Sequence, residues 1–222
     1  NNDGTLQWDQ LFGMGNNYER FESVEETNDG GYILCGVKDY YPVTDWDVWL
    51  VKTDINGNQE WEQHFDLNNT NDEGRSVQQT DDGGYIITGK TDNKIWLIKT
   101  GGNGNQQWNQ ILDSTTTNGS QGGYSLEQTS DGGYIIVGIS GPGYPCLIKT
   151  DGNGNQQWTQ TFGNPSENPG RSVQQTNDGG YILTGDTENE DIWLIKTDGN
   201  GNQQWDQTFG GIDDDCGHSV QQ

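Results

Sequence analysis

Three sets of side chains in this chain have types and spacings that could do chemistry. The first is rich in oxygen: Asp54, Asn56 and Asn58, then Asp151, Asn153 and Asn155, then Asp198, Asn200 and Asn202 each place donors at alternate loop positions. That spacing opens a Ca2+ loop, so Ca2+ is the one cofactor these residues allow. The glycine at position six and the bidentate glutamate at position twelve of an EF-hand are absent, and Gly101 replaces the Asp in a further copy. A tight hairpin turn accounts for the same residues without a metal. The second set is Glu22, Arg75, Tyr124, Arg171 and His218, each directly preceding a serine in a recurring segment. Together they could hydrogen-bond, stack and pair with a ligand. The plainer reading is that Arg75 and Arg171 neutralise neighbouring carboxylates.

The third set is Glu25, Glu26 and Glu127, which stand where other copies carry Gln78, Gln79 and Gln174. Two carboxylates at a suitable separation would hydrolyse a glycosidic bond. Drift from Gln to Glu in an acidic chain explains them more simply. Nucleophilic catalysis finds no motif: His218 adjoins Ser219, which sends the two side chains to opposite faces of a strand, and neither G-x-S-x-G nor H-E-x-x-H occurs. No catalytic residue is assigned. Cys35, Cys146 and Cys216 lack metal spacing, and the first two replace core-type residues of other copies. Acidic clusters at residues 213–215 and at Asp186, Glu188, Glu190 and Asp191 read as solvated charge.

Positioning these groups is the work of a repeat. W-L-[IV]-K-T recurs at Trp49, Trp96 and Trp193, with a variant at Cys146, and D-G-G-Y-I recurs at Asp29, Asp82, Asp131 and Asp178. A third string carries Trp8, Trp61, Trp108, Trp158 and Trp205, so the period is about 47 to 53 residues. The repeats run over residues 6–59, 60–106, 107–156 and 157–203, with a partial one at 204–222. Each unit reads as four short strands. The first (76–80, 172–176) is polar and suits a wet channel wall. The second (85–88, 181–184) and third (95–98, 192–195) are continuous apolar runs, the pattern of strands buried on both faces. The fourth alternates, as at Trp158, Gln160 and Phe162, and reads as an edge. T-[NDS]-D-G-G and D-G-N-G-N supply the tight turns between them.

These features predict an all-β fold, a β-propeller of four-stranded antiparallel blades, and a single domain over residues 1–222. Four full repeats and a partial terminal one imply five blades or a fragment of a larger ring. The opening segment reads as a fourth strand and the closing one as a first strand. Roughly 28 further residues of the repeat type would then complete the fifth blade. The connections from fourth to first strand (13–22, 66–75, 113–124, 163–171, 210–218) and from second to third (37–47, 90–94, 139–145, 186–191) vary between copies and share one side. Surface function belongs on that diversified face.

The unit D-G-G-Y-I…G…D-x-W-L-x-K-x-D-x-x-G-N-x-x-W resembles the repeat of secreted and surface-attached bacterial and archaeal β-propellers. Its G-N-x-x-W corner is similar to the tryptophan-docking repeats of pyrroloquinoline-quinone-type propellers. The resemblance implies an extracellular scaffold or binding role. No quinone-binding motif accompanies it, so no organic cofactor is carried over.

Composition narrows the partners. Asp and Glu number 34 against 10 Lys and Arg, giving a formal charge of -24, which argues against nucleic acid and anionic membranes. No apolar run is long enough for a spanning helix, so membrane insertion is not expected. The sequons Asn68-Asn69-Thr70 and Asn118-Gly119-Ser120 suit an extracellular or cell-surface location. The expected function is a non-catalytic extracellular or cell-surface module that binds a glycan or protein partner through variable loops. The alternatives are an extracellular carbohydrate-active hydrolase using the inner glutamates, and a structural unit that self-assembles through an incomplete ring.

Overall fold

The computed structural model describes residues 6–13, 18–39, 45–112, 122–141, 143–163, 168–187, 191–211, 215 and 217–221. Their regular structure is all β. The first blade comprises β1 (Glu19–Glu26), β2 (Tyr32–Asp39), β3 (Trp46–Thr53) and β4 (Gln59–Phe65); the second comprises β5 (Asp72–Gln79), β6 (Tyr85–Thr91), β7 (Lys94–Thr100) and β8 (Gln106–Leu112). The third holds β9 (Gly122–Gln128), β10 (Tyr134–Ser140), β11 (Tyr144–Thr150) and β12 (Gln156–Thr161); the fourth holds β13 (Asn168–Gln175), β14 (Tyr181–Asp186), β15 (Ile192–Thr197) and β16 (Gln203–Phe209). Each blade is one antiparallel sheet with its strands in chain order. The arrangement is that of β-propeller blades.

Turn chemistry sets this order. Gly30, Gly83, Gly132 and Gly179 lie at φ 78–81° in the turns that join the first and second strands, a region where a side chain would be strained. Asp92 and Asn93 both have positive φ, the two-residue hairpin that links β6 to β7. The strands run longer than the spacing predicts. Lys38 and Lys90, expected in loops, fall inside the ends of β2 and β6, and the first strands begin upstream of their serines because pairing resumes beyond an inserted residue.

Burial follows the two apolar middle strands. Between the first and second blades, Ile33, Cys35, Val48 and Leu50 meet Val77, Tyr85, Ile87, Trp96 and Ile98. Matching cores fill the junctions between the second and third blades and between the third and fourth. Each of the larger side chains contributes roughly 1.5–3 kcal/mol through burial. Cys35 and Cys146 are free, fully buried members of these cores, and burial pushes both thiols well up. The outer-strand tryptophans connect consecutive blades: Trp61 meets Tyr85, Trp108 meets Tyr134 and Trp158 meets Tyr181, with ring centroids 5.7–6.1 Å apart.

Within every blade the lysine of W-L-[IV]-K-T forms a latch. Lys52, Lys99, Lys149 and Lys196 are between 2% and 8% exposed, and each pairs with the turn aspartate Asp29, Asp82, Asp131 or Asp178 at 2.9–3.0 Å. Each ammonium also donates to the next carbonyl, that of Thr53, Thr100, Thr150 or Thr197, at 2.7–2.9 Å. The same aspartates accept bonds from Thr27, Thr80, Thr129 or Thr176 and from the second turn glycine. A single carboxylate thus ties the first turn to the third strand.

Residues 6–12 and 217–221 lie against the first and fourth blades. They form no strand, contrary to the sequence expectation.

The latch has a pH signature. At Asp29 the Thr27 hydroxyl, the Gly31 amide and Lys52 hold the carboxyl down at about 2. At Asp82 and Asp131 burial pushes upward, but the threonine hydroxyls, glycine amides and lysines outweigh it and again give about 2. These depressed values make the latches stabilising above about pH 4, with the contribution lost as pH falls through about 2. Lys99→Met keeps the buried stem and removes the ammonium. It is expected to cost about 1–2 kcal/mol at pH 7, discounted because the Asp82 side chain is more than half exposed, and the deficit should shrink at pH 2. Thermal unfolding of both proteins at the two pH values checks this.

Candidate functional site

The five residues that precede the recurring serines converge. Glu22, Arg75, Tyr124, Arg171 and His218, joined by Arg20 and Glu73, line one cavity of about 450 Å3. Backbone irregularity in the first strands brings them there. Register shifts between Phe21 and Ser23, between Gly74 and Ser76, and opposite the step from Val137 to Gly138, so Glu22, Arg75 and Tyr124 are each an extra, unpaired residue of a β-bulge. Arg171 falls in the corresponding irregular stretch of β13. A bulge turns its extra side chain out of the ladder's alternation. It also presses the bulged backbone onto the second strand. A Cβ on Gly36, Gly89 or Gly138 would lie 1.9, 1.7 or 2.3 Å from the carbonyl oxygen of Arg20, Glu73 or Gly122, so only glycine fits opposite each bulge.

Charge in the cavity is paired and oriented. Arg75 donates through Nε and Nη2 to Glu73 Oε2 at 3.3 and 3.0 Å, and its guanidinium lies 4.3 Å from the centre of the Tyr124 ring. Lys90 takes the other oxygen of Glu73 at 3.0 Å. Burial pushes the Glu73 carboxyl upward, but Lys90 and Arg75 outweigh it and hold the group below its usual value. Arg171 donates through Nε to Asp186 Oδ2 at 3.0 Å, with Nη2 at 2.9 Å from the same oxygen. Asp186 is fully buried, and its second oxygen accepts the Gly217 amide at 3.1 Å. Arg171 Nη1 stands 3.5 Å from His218 Nδ1, and Arg20 pairs with Glu22. The arginines therefore do neutralise carboxylates, and those carboxylates hold them around a common cavity.

Sequence reasoning missed Arg20 and Glu73. A signal was present, since Arg20 with Glu22 and Glu73 with Arg75 are opposite charges two residues apart on one strand.

The inner glutamates do other work. Glu25 Oε2 accepts the Gln79 amide of the next blade at 2.9 Å, and Glu127 Oε2 accepts that of Gln175. Gln78 makes the same connection to the Gln128 amide at 2.6 Å using its carboxamide oxygen. Burial raises both glutamate carboxyls, with the backbone bond opposing it. Neither lines the cavity, and Glu26 is exposed.

In the D-x-N-x-N turns the aspartate is bonded locally. Asp54 Oδ1 accepts the Asn56 and Asn58 amides at 2.8 Å, and Oδ2 accepts Asn58 Nδ2 at 2.9 Å. Asp151 with Asn153 and Asn155, and Asp198 with Asn200 and Asn202, repeat the pattern. The side-chain amides of Asn58, Asn155 and Asn202 lead the contacts that hold these carboxyls down. Elsewhere Asp45, Asp47 and Asp66 bring one oxygen each within 4.8 Å of the others. Burial, followed by the charges of Asp66, Asp45 and Asp72, pushes Asp47 up to about 6. Asn118, Glu188, Glu190, Asp213, Asp214 and Cys216 lie outside the described residues.

No protein-family model matches the chain, and no curated protein matches it. Solved structures do. A Bacteroides caccae protein of unknown function is similar at 13% identity with a TM-score of 0.53, over 83% of this chain and 60% of that one. The Dos1 propeller matches at 10% identity with a TM-score of 0.59, over 86% and 48%. An engineered GH43 glycoside hydrolase with endo-xylanase and exo-arabinofuranosidase activity matches at 12% identity with a TM-score of 0.51, over 83% and 38%. At these identities the likeness shows the propeller fold alone. The chain spans from over a third to three fifths of the lengths of these three proteins.

Two pH-dependent outcomes follow from the carboxylates. Raised folded values mean that charging Glu25 and Glu127 costs stability, fully so at neutral pH and not at all below about pH 4. The double variant Glu25→Gln, Glu127→Gln should therefore melt a few degrees higher at pH 7 and gain nothing at about pH 3.5. Asp47→Asn should likewise raise Tm above about pH 6, with the gain fading toward about pH 4. Melting curves across that range check both.

Proposed function

We propose that this chain is a non-catalytic binding module, extracellular or at the cell surface, which takes a glycan or protein ligand into the cavity of its diversified face. One observation carries the reading: the chain has three arginines, and all three line that cavity. In a molecule of formal charge -24 this is a marked concentration of guanidinium groups. Each is held by a carboxylate yet retains further N–H groups, the arrangement that recognises hydroxyl and carboxylate oxygens. Tyr124 and His218 add an aromatic face and a ring nitrogen. A cavity of about 450 Å3 suits a small saccharide or one protruding side chain of a protein.

The extracellular assignment rests on the repeat's resemblance and the sequons. The hydrolase alternative loses support from geometry, since Glu25 and Glu127 bond to backbone amides of neighbouring blades.

A glycan array followed by titration of the hits tests the proposal. Arg75→Gln with Tyr124→Ala is expected to weaken a genuine ligand by about 2–4 kcal/mol while Lys90 still neutralises Glu73 and the fold persists. Unchanged affinity in a variant with a native circular dichroism spectrum would remove the cavity from consideration. Absence of any ligand, on glycan arrays and in cross-linking to surface proteins, would defeat the binding reading itself.

A further inference from the structure

The face that carries the constant turns also holds a cavity. It lies between the third and fourth blades and has a volume of about 670 Å3. Asp131, Lys149 and Trp158 line it from one blade, Gln175 and Tyr181 from the next, and Gly179 of a turn stands at its rim. The five side chains belong to the repeat. The second and third blades bring the same types together as Asp82, Lys99, Trp108, Gln128 and Tyr134, and the first and second as Asp29, Lys52, Trp61, Gln79 and Tyr85. Contacts within each set match as well: the lysine holds the aspartate, and the tryptophan meets the tyrosine of the following blade. One arrangement is therefore copied at three internal junctions.

Folding explains the latch and the aromatic contact, yet it leaves two donors per junction unused. The first is phenolic. Tyr85, Tyr134 and Tyr181 are each 2% exposed, and among the described residues none of their hydroxyls has a hydrogen-bond partner or is fully enclosed. Phenylalanine would fill the same core without a stranded polar group. Every copy of D-G-G-Y-I nevertheless keeps the hydroxyl, while the position three residues on drifts among Cys35, Thr88, Val137 and Thr184. Burial, followed by nearby carboxylates such as Asp131 at Tyr181, pushes all three phenols up to about 12 and keeps the O–H a donor. The second donor is a carboxamide. The side-chain oxygens of Gln79, Gln128 and Gln175 accept the Asn28, Asp81 and Ser130 amides at 2.8–2.9 Å, which turns each NH2 group the other way, with no acceptor among the described residues. Beside these donors the latch carboxylates are 58–61% exposed and can still accept.

We infer that each of these junctions binds one pyranose ring of a neutral glycan, on the face opposite the arginine-lined cavity. The groups left open define the ligand. A sugar ring offers hydroxyl oxygens to Tyr181 and Gln175, a hydroxyl proton to Asp131 and a C–H face to Trp158, and a cavity of about 670 Å3 holds a mono- or disaccharide unit. Charge selects against acidic sugars. Each groove opens beside a carboxylate in a chain of formal charge -24, and the lysine that could attract an anion is committed to that carboxylate and to a backbone carbonyl. Copies on one face make the surface multivalent, so weak single sites add up to strong avidity for a dense glycan. The groove shares no lining residue with the axial cavity and stands apart from the function proposed above.

The test titrates the full chain with the methyl glycosides of glucose, galactose, mannose and N-acetylglucosamine, read by calorimetry and tryptophan fluorescence. At least one is expected to bind at about three sites per chain, and a polymer displaying many copies of it to bind about 100-fold tighter or more. Tyr181→Phe keeps the ring in the core and removes only the hydroxyl; it should leave Tm unchanged or higher and lower the stoichiometry by about one site. Tyr85→Phe, Tyr134→Phe and Tyr181→Phe together should weaken the sugar by about tenfold or more in a protein that still melts as the original does. Arg75→Gln with Tyr124→Ala should bind the sugar as the unmodified chain does. Failure of all four glycosides and of the polymers carrying them overturns the inference. A sugar whose affinity and stoichiometry survive the triple substitution, or whose binding is lost with Arg75 and Tyr124, also overturns it, as does equal binding of methyl glucuronide.

Discussion

A four-stranded sheet that is apolar on both faces cannot stand alone in water, and the architecture of this protein follows from that constraint. The second and third strands of the second and third blades bury nearly every side chain. Covering one face leaves the other exposed, so each blade requires two neighbours. Among the described residues stacking supplies two to the second and third blades and one to the first and fourth, and each junction repeats the same contacts among middle-strand aliphatics, the tyrosine of D-G-G-Y-I and the tryptophan of the preceding outer strand. Polar groups such as Thr88 and Thr184 are hydrogen-bonded inside this interior. The latch lysine is the clearest case: its ammonium bonds both to a carboxylate and to a backbone carbonyl, which offsets the cost of taking a charge out of water.

Where the blades meet the axis, packing gives way to hydrogen bonds. The first strands are rich in Ser, Gln and Glu, which reach sideways to the amides of the adjacent first strand. Connections run in both directions, from the Gln128 amide to Gln78 and from the Asp81 amide to Gln128. Backbone amides that a sheet edge would leave open are thereby satisfied without a fifth strand. The bulge is built on this frame. One extra residue in each of β1, β5 and β9, accommodated by a glycine opposite, breaks the alternation and frees a side chain for the cavity, and β13 is irregular in the corresponding stretch. Architecture and candidate function therefore share a strand while using different residues of it.

The repeat makes most of the fold readable from sequence. Period, strand type, turn chemistry and antiparallel order all follow from short-range pattern, because each element is local and copied. The gathering of Glu22, Arg75, Tyr124, Arg171 and His218 is readable for the same reason: equivalent positions in a ring of repeats face a common axis. What escapes is non-local or irregular. The bulges stay hidden because a one-residue insertion leaves no trace in a motif, although the glycines of the second strands mark the close approach that each bulge demands. Glu25 and Glu127 look like candidates for acid-base chemistry because Gln and Glu differ only in charge. Their role as acceptors between blades needs the neighbouring strand in view, and the carboxamide of Gln78 fills it equally well. The grouping of Asp45, Asp47 and Asp66 joins two different connections, so no single window contains it.

The partition of positive charge completes the argument. Ten cations must serve 34 acidic residues, and the structure does not distribute them evenly. Four lysines stand inside the blades, where removing them would leave an interior carbonyl without its donor. All three arginines stand at one cavity, with Lys90 behind them on Glu73. The remaining carboxylates are left largely to solvent and to turn amides, which costs little where water screens them and keeps like molecules apart. A protein that only needed to fold could have placed its few guanidinium groups against any of these surface acids. Their concentration at the axis, each fixed by a carboxylate and each beside an irregular stretch of a first strand, ties an unusual electrostatic choice to a place where the fold departs from its own regularity.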